Sequence, residues 1–190
     1  LEKLRDRLAQ RPAQTPLLDA LQARLAAGAG GASDLERFFA AFASASLAAD
    51  LFTMFEHGRL RLALADAYPG LARRTLPLLQ AEAQSRVHAS SGGALLDALY
   101  ARIALGIGEA GAGEATVERL AEMFAREVAA EAPVAAVGAL VLVAYALVAG
   151  RLPPEPQVGE TAPDGPPRLR TPFGRRVRPD LFFRTHARFE

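Results

Sequence analysis

The sequence predicts an all-α fold, a compact multi-helix bundle of seven or eight helices around a central hydrophobic helix, with an extended Pro-rich linker and a basic C-terminal arm. Three observations carry this. Apolar residues recur three and four apart in segment after segment, the repeat of a helix with one buried face. Those segments are punctuated by helix-type signals, with Ser, Thr or Pro at their starts and Gly or Pro at their ends. And one stretch, "PVAAVGALVLVAYALVAGR" (residues 133–151), carries no charge between Glu131 and Arg151.

The elements follow in order. Leu1, Leu4 and Leu8 share one helical face ahead of Pro12. "TPLLDALQARLAAG" (residues 15–28) reads as a complete helix: Thr15 as cap, Pro16 in the first turn, Leu18, Leu21 and Leu25 as the stripe, Gly28 as the stop. Ser33 and Glu36 make a capping box for a helix running to a stop at Gly58, with His57 near its negative end. A further helical segment covers 59–67, before the turn "YPG". Residues 71–87 are helical in composition, with a kink or restart expected at Pro77, which cannot donate a backbone hydrogen bond. After the loop "SSGG", Leu95, Leu96, Leu99, Ile103 and Ile107 mark the next helix, ended by "GIGEAGAGEA". Val117, Leu120, Phe124 and Val128 mark another, and Pro133 divides it from the uncharged stretch.

That stretch fits two environments. A membrane span needs about 20 apolar residues, with a range of roughly 17–25. Residues 134–150 sit at the short end, and many are Ala or Gly, which contribute little to transfer into lipid. Pro133, Gly150, Pro153 and Pro154 supply the punctuation of a soluble helix. The segment therefore reads as a buried central helix, the alternative being a membrane-associated protein anchored by 133–150, with Arg151 and the basic tail on the cytoplasmic side.

The chain divides into an all-α domain over 1–152, a Pro/Gly-rich linker over 153–167 and an Arg/Phe-rich arm over 168–190. Residues 153–167, "PPEPQVGETAPDGPP", hold too little apolar surface to build a core. The net charge is +1, but residues 168–190 carry seven arginines, so the remainder is mildly acidic. With no cysteine, the chain cannot form disulfides, thiolate metal sites or a Cys nucleophile. The start of the sequence shows no basic-then-apolar leader, and the expected location is cytoplasmic.

Chemistry-bearing motifs are sparse. Gly106, Gly108 and Gly111 spell G-x-G-x-x-G, which in a nucleotide site must follow a strand; here the preceding residues keep helical spacing, so the glycines read as an interhelical loop. His57, His88 and His186 offer no pair at i,i+3 or i,i+4, so no helical metal pair exists and no cofactor is expected. Serines 85, 90 and 91 near His88 lack a nucleophile elbow. Asp50, within a Phe- and Ala-rich segment, is expected at the surface. Phe38, Phe42, Phe52, Phe55 and His57 are the candidates to line an apolar ligand pocket between helices, although an aromatic stripe at helical spacing is first of all core.

In the arm, Arg175, Arg176, Arg178, Phe182, Phe183, Arg184 and Phe189 are the candidate partner-binding residues. Arginines neutralise phosphates and phenylalanines stack on bases or enter a membrane interface, so nucleic acid or an anionic membrane is one expected partner. The alternative is that the phenylalanines dock on the acidic body or a neighbouring subunit.

These features point to a non-enzymatic helical binding or regulatory module, with an apolar small molecule or a second copy as further partners. Its short, Ala- and Leu-rich helices resemble, at the level of architecture, the ligand-binding domains of TetR-type repressors. The helix-turn-helix of those proteins has no counterpart in this sequence. One alternative is therefore the ligand-binding domain of a TetR-type regulator lacking its N-terminal DNA-binding part, and the remaining one is an enzyme with a nucleotide site at Gly106–Gly111 or a haem site near His57.

Overall fold

The computed structural model describes residues 34–86, 94–108 and 114–152, together with Asp19 and Ala23. Among these residues the fold is all-α, with no strand. Six α-helices are present: α1 (Asp34–Ala40), α2 (Ala45–Ala67), α3 (Pro69–Arg86), α4 (Ala94–Leu99), α5 (Ala115–Glu127) and α6 (Val134–Val148). A π-helical turn, Tyr100–Ala104, extends α4, and a 3-10 turn, Ala149–Arg151, follows α6. The helices expected before Ser33, the Ser33 half of the capping box, the linker and the arm lie outside the described residues.

Two helices form the interior. α2 packs against α6, the π turn, α3 and α1; α5 closes over α6, α4 and the π turn. In α6 every residue from 136 to 142 is buried, which is the position expected of the uncharged stretch. Val134–Arg151 is long and apolar enough to cross a membrane by length and composition, and half of it is buried inside the protein. Pro133 stands at the N-cap of α6 rather than within it, with extended backbone, and the helix gives way to the 3-10 turn before Gly150.

The long helix expected from Ser33 to Gly58 is divided differently. It breaks at residues 41–44, where the Ala41 and Phe42 amides bond back to Phe38 and Phe39 in tight three-residue turns. Ser44 then starts α2. Its hydroxyl accepts the Leu47 amide at 3.1 Å, and its own amide donates to the Tyr145 hydroxyl of α6 at 2.8 Å. An orphan donor at the helix start is thus satisfied locally, and the preceding one is satisfied across the core.

Gly58 does not stop the helix. α2 continues nine residues further, to Ala67, where Tyr68 caps it by donating to the Leu64 carbonyl. The glycine instead permits a close crossing. A Cβ at this position would lie 2.7 Å from Phe124 Cζ and 2.9 Å from the Ile103 carbonyl oxygen, so the π turn and α5 reach the α2 backbone only because no side chain intervenes. Pro77 likewise leaves α3 as one helix. The carbonyl it deprives of a helical partner belongs to Arg73, an exposed residue.

These contacts predict opposite outcomes for two helical glycines. Gly58→Ala should lower stability by about 1–3 kcal/mol, because the methyl group meets backbone and a buried ring. Gly70→Ala, with nothing within 4 Å of the new methyl, should raise it by about 0.5–1 kcal/mol. Thermal or denaturant unfolding of the two variants checks both signs.

Candidate functional site

α2 carries an unusual load for a buried helix. Asp50, Thr53 and Glu56 are all almost completely buried, and His57 is half-buried. The surface position expected for Asp50 is therefore corrected: it is 1% exposed, because α2 is enclosed on more than one side rather than lying on the bundle exterior. Thr53 turns its hydroxyl back to the Ala49 carbonyl at 2.7 Å, a bond within the helix that neutralises it as a buried polar group.

Glu56 is held by Arg59 in a two-pronged ion pair. Arg59 Nε donates to Oε2 at 2.8 Å and Nη2 to Oε1 at 2.6 Å. The same guanidinium reaches the Ala132 carbonyl at 3.4 Å, in the connection between α5 and α6. The hydrogen bonds that Arg59 donates to Glu56 raise its pKa above the ordinary arginine value against the opposing effect of burial. The i,i+3 spacing makes the pair geometrically natural on one helix. Its burial makes it demanding, since either partner alone would be an uncompensated charge.

His57 belongs to the middle of α2, not to its end. Its Nδ1 lies 2.9 Å from the Tyr100 hydroxyl, and the two rings meet edge to face at 5.8 Å. Tyr100 opens the π turn, and π turns recur at functional sites because the extra residue re-aims side chains. Burial pushes the Tyr100 phenol well above its ordinary value. It also lowers the His57 pKa, against the attraction of the neighbouring Glu56 carboxylate. The pair is thus a neutral imidazole and a neutral phenol at the working pH of most proteins.

The carbonyls that end the π turn are collected by two other helices. Arg61 Nε donates to the Ala104 carbonyl at 3.1 Å, and Gln80 Nε2 to the Leu105 carbonyl at 2.9 Å. Burial lowers the Arg61 pKa. Gly106, at φ +67°, takes the left-handed conformation that lets the Ile107 amide turn back to the Ala101 carbonyl. Arg61 also closes over this glycine, with Nη1 3.2 Å from where a Cβ would be. Gly106 and Gly108 therefore terminate a helix, where a dinucleotide fingerprint would follow a strand; Gly111 lies outside the described residues.

The sequence-predicted pocket residues separate into two groups. Phe38, Phe42 and Phe52 join Phe39 and Tyr145 in a chain of tilted and edge-to-face rings, with centroids 4.8–5.8 Å apart. Phe55 instead stacks with Phe124 at 6.1 Å, near Gly58, while His57 meets Tyr100. Tyr100, Arg59 and Tyr145 were missed in the sequence reading. The Glu56–Arg59 spacing was legible, whereas Tyr100 and Tyr145 reach their partners only across the fold. The arm residues Arg175, Arg176, Arg178, Phe182, Phe183, Arg184 and Phe189 lie outside the described residues. Among the described residues, no group of three His, Cys, Asp or Glu side chains could hold a metal ion.

A different feature stands on the surface. Tyr68, Leu71 and Leu78 are exposed at 64%, 51% and 71%. With Thr75, whose hydroxyl bonds back to the Leu71 carbonyl, they are spaced three, four and three residues apart. Within α3, Leu71, Thr75 and Leu78 have the seam spacing of packed helices, and Tyr68 precedes the helix. The opposite requirement, packing on the protein's own core, is met by Ala83 and the partly buried Leu79 on another part of the same helix.

Comparison with known proteins finds no matching family model, no matching curated protein and no matching solved structure. The functional reading therefore rests on these residues alone.

Two outcomes test the buried polar groups. Glu56→Gln should cost about 3–5 kcal/mol of stability, since it leaves the Arg59 charge enclosed, while replacing both residues by apolar ones of similar volume should recover most of the loss. Chemical denaturation of the single and paired variants measures this. The His57 effect has a defined sign. Its folded pKa lies below the unfolded value of about 6.5, so the unfolded chain binds the extra proton first. Stability should be full above about pH 6.5 and decline as pH falls toward the folded pKa, and His57→Gln should flatten that part of the pH profile.

Proposed function

We propose that the chain is a non-enzymatic helical binding module that docks an amphipathic helix along α3. The observation that carries this is the pair Leu71 and Leu78, large apolar side chains exposed two turns apart on α3, with Tyr68 exposed just before the helix begins. Single exposed leucines are ordinary on protein surfaces, but a seam in register is not. The interior supports the same reading. Arg59, held by Glu56 on the same helix, reaches the Ala132 carbonyl, and His57 joins α2 to Tyr100, so these polar groups serve packing.

The phenylalanines that a ligand pocket would use are supporting walls for the same scaffold. Phe38, Phe52 and Phe55 are buried against other aromatic rings, and Phe42 leans on Tyr145. α3 is held against this scaffold at Leu79, Ala83 and Gln80, which leaves Leu71 and Leu78 free of that attachment.

The test is a titration of the full chain with a labelled synthetic helix that carries leucine at heptad a and d positions. Saturable binding is expected, weakened roughly tenfold or more by L71E/L78E. The variant itself should melt within a few degrees of the parent, because exposed substitutions change stability little. Equal binding by parent and variant, or no binding by either, would contradict the proposal.

A further inference from the structure

We infer that the helix received by α3 belongs to a partner protein and is acidic along its docking edge, with a carboxylate that meets Arg74. This rests on the reading of α3 as a helix-docking surface and names the chemistry of its partner.

Leu71, Arg74 and Leu78 are spaced three and four residues apart, so they form one row along α3, with Arg74 one turn from each leucine. Thr75 is the other residue one turn from both. The two side chains differ in what they offer. Thr75 is partly buried, and its hydroxyl already donates to the Leu71 carbonyl. Arg74 is exposed and makes no hydrogen bond or ion pair among the described residues.

A helix laid across Leu71 and Leu78 therefore covers Arg74 as well. Covering strips water from the guanidinium, and a charge without water needs a counter-charge. A long arginine can slide its head to the rim of the contact, but a carboxylate waiting there still forms the stronger, two-pronged pair. The surroundings have the same sign. α3 has no acidic residue in its first turn, and Arg73 and Arg74 follow in its second. A helix N-terminus carries a partial positive charge of its own, so this half of α3 attracts anions and repels cations.

Other occupants fit this less well. A second copy of α3 adds a second Arg74 to the seam and brings no carboxylate to its middle. The C-terminal arm, with seven arginines over 168–190, is repelled. An anionic lipid surface supplies the right charge at Arg74, but exposed Glu82 stands one turn beyond Leu78 and would face the same headgroups. A helix can place an acid at one point and spare the other, which a uniform surface cannot.

The test compares three synthetic helices on the full chain. All carry leucine at heptad a and d positions and differ only at e and g, which are Glu, Gln or Lys. The parent should bind the Glu helix at least tenfold more tightly than the Lys helix, with Gln between, and added salt should narrow the gap. R74E should reverse the order. R73E makes the same charge change on the opposite side of α3 and should leave Glu preferred. Both substitutions are exposed, so the variants should melt within a few degrees of the parent. Equal binding of the three helices, still lost in L71E/L78E, would keep α3 as a docking surface and reject only the acidic partner. Loss of the preference in R73E as fully as in R74E would overturn the assignment to Arg74. Binding of none of the helices would reject the docking surface and this inference with it. Two further results would overturn it by naming another occupant: co-sedimentation with phosphatidylserine vesicles that L71E/L78E abolishes while no helix binds, or a dimer of the parent that L71E/L78E dissociates and the Glu helix does not.

Discussion

The rest of the fold depends on the enclosure of α2. From Leu47 to Gly58 this helix is buried at nearly every position, with α6, α1, α3 and the π turn arranged around it. A helix so enclosed has no water to satisfy its polar side chains. Each of them must therefore find a partner within the protein, and those partners determine where the neighbouring helices sit. Arg59 draws Glu56 toward the α5–α6 connection, and His57 fixes Tyr100 at the start of the π turn. Tyr145 secures the first turn of α2 from the far end of α6. The missing side chain of Gly58 brings Phe124 and the Ile103 carbonyl close enough for these bonds to form together.

Enclosure also bears on the proposed docking surface, which lies elsewhere. With the charged and aromatic side chains of α2 committed to its neighbours, the exposed chemistry shifts outward to α3. That helix touches the body through Ala83, Leu79 and the Gln80 amide, while Leu71 and Leu78 stay exposed. A surface built this way can accept or release another helix without disturbing the interior. This separation of a rigid core from an adaptable outer face is a physical basis for regulated binding.

Much of the architecture was legible in the sequence. The helical class, the interior placement of 134–148 and the glycine-terminated helix before Gly106 follow from periodicity and punctuation, which act locally. The corrections share one cause, the influence of distant contacts on a local signal. Gly58 has the composition of a stop, yet its role is to admit Phe124 from 66 residues away. Asp50 looks like a surface acid because nothing near it in sequence shows that α6 will cover the helix. Ser44 starts α2 between alanines that would otherwise continue a helix, and the Tyr145 hydroxyl that reinforces this start lies 101 residues away. Pro77 lies inside α3 without ending it, at an exposed part of the helix. The π turn has no sequence signature of its own, and the His57–Tyr100 bond could not be inferred from spacing.

The claim that α2 and α6 form the interior on which the other helices are mounted is tested most directly by native-state amide hydrogen exchange. Amides at 51–58 and 137–144 should exchange only through global unfolding, with a common free energy, while the outer face of α3 exchanges by smaller openings. Fast exchange across 137–144 alongside a protected α3 would contradict the account, because α6 would then not be the helix that encloses α2.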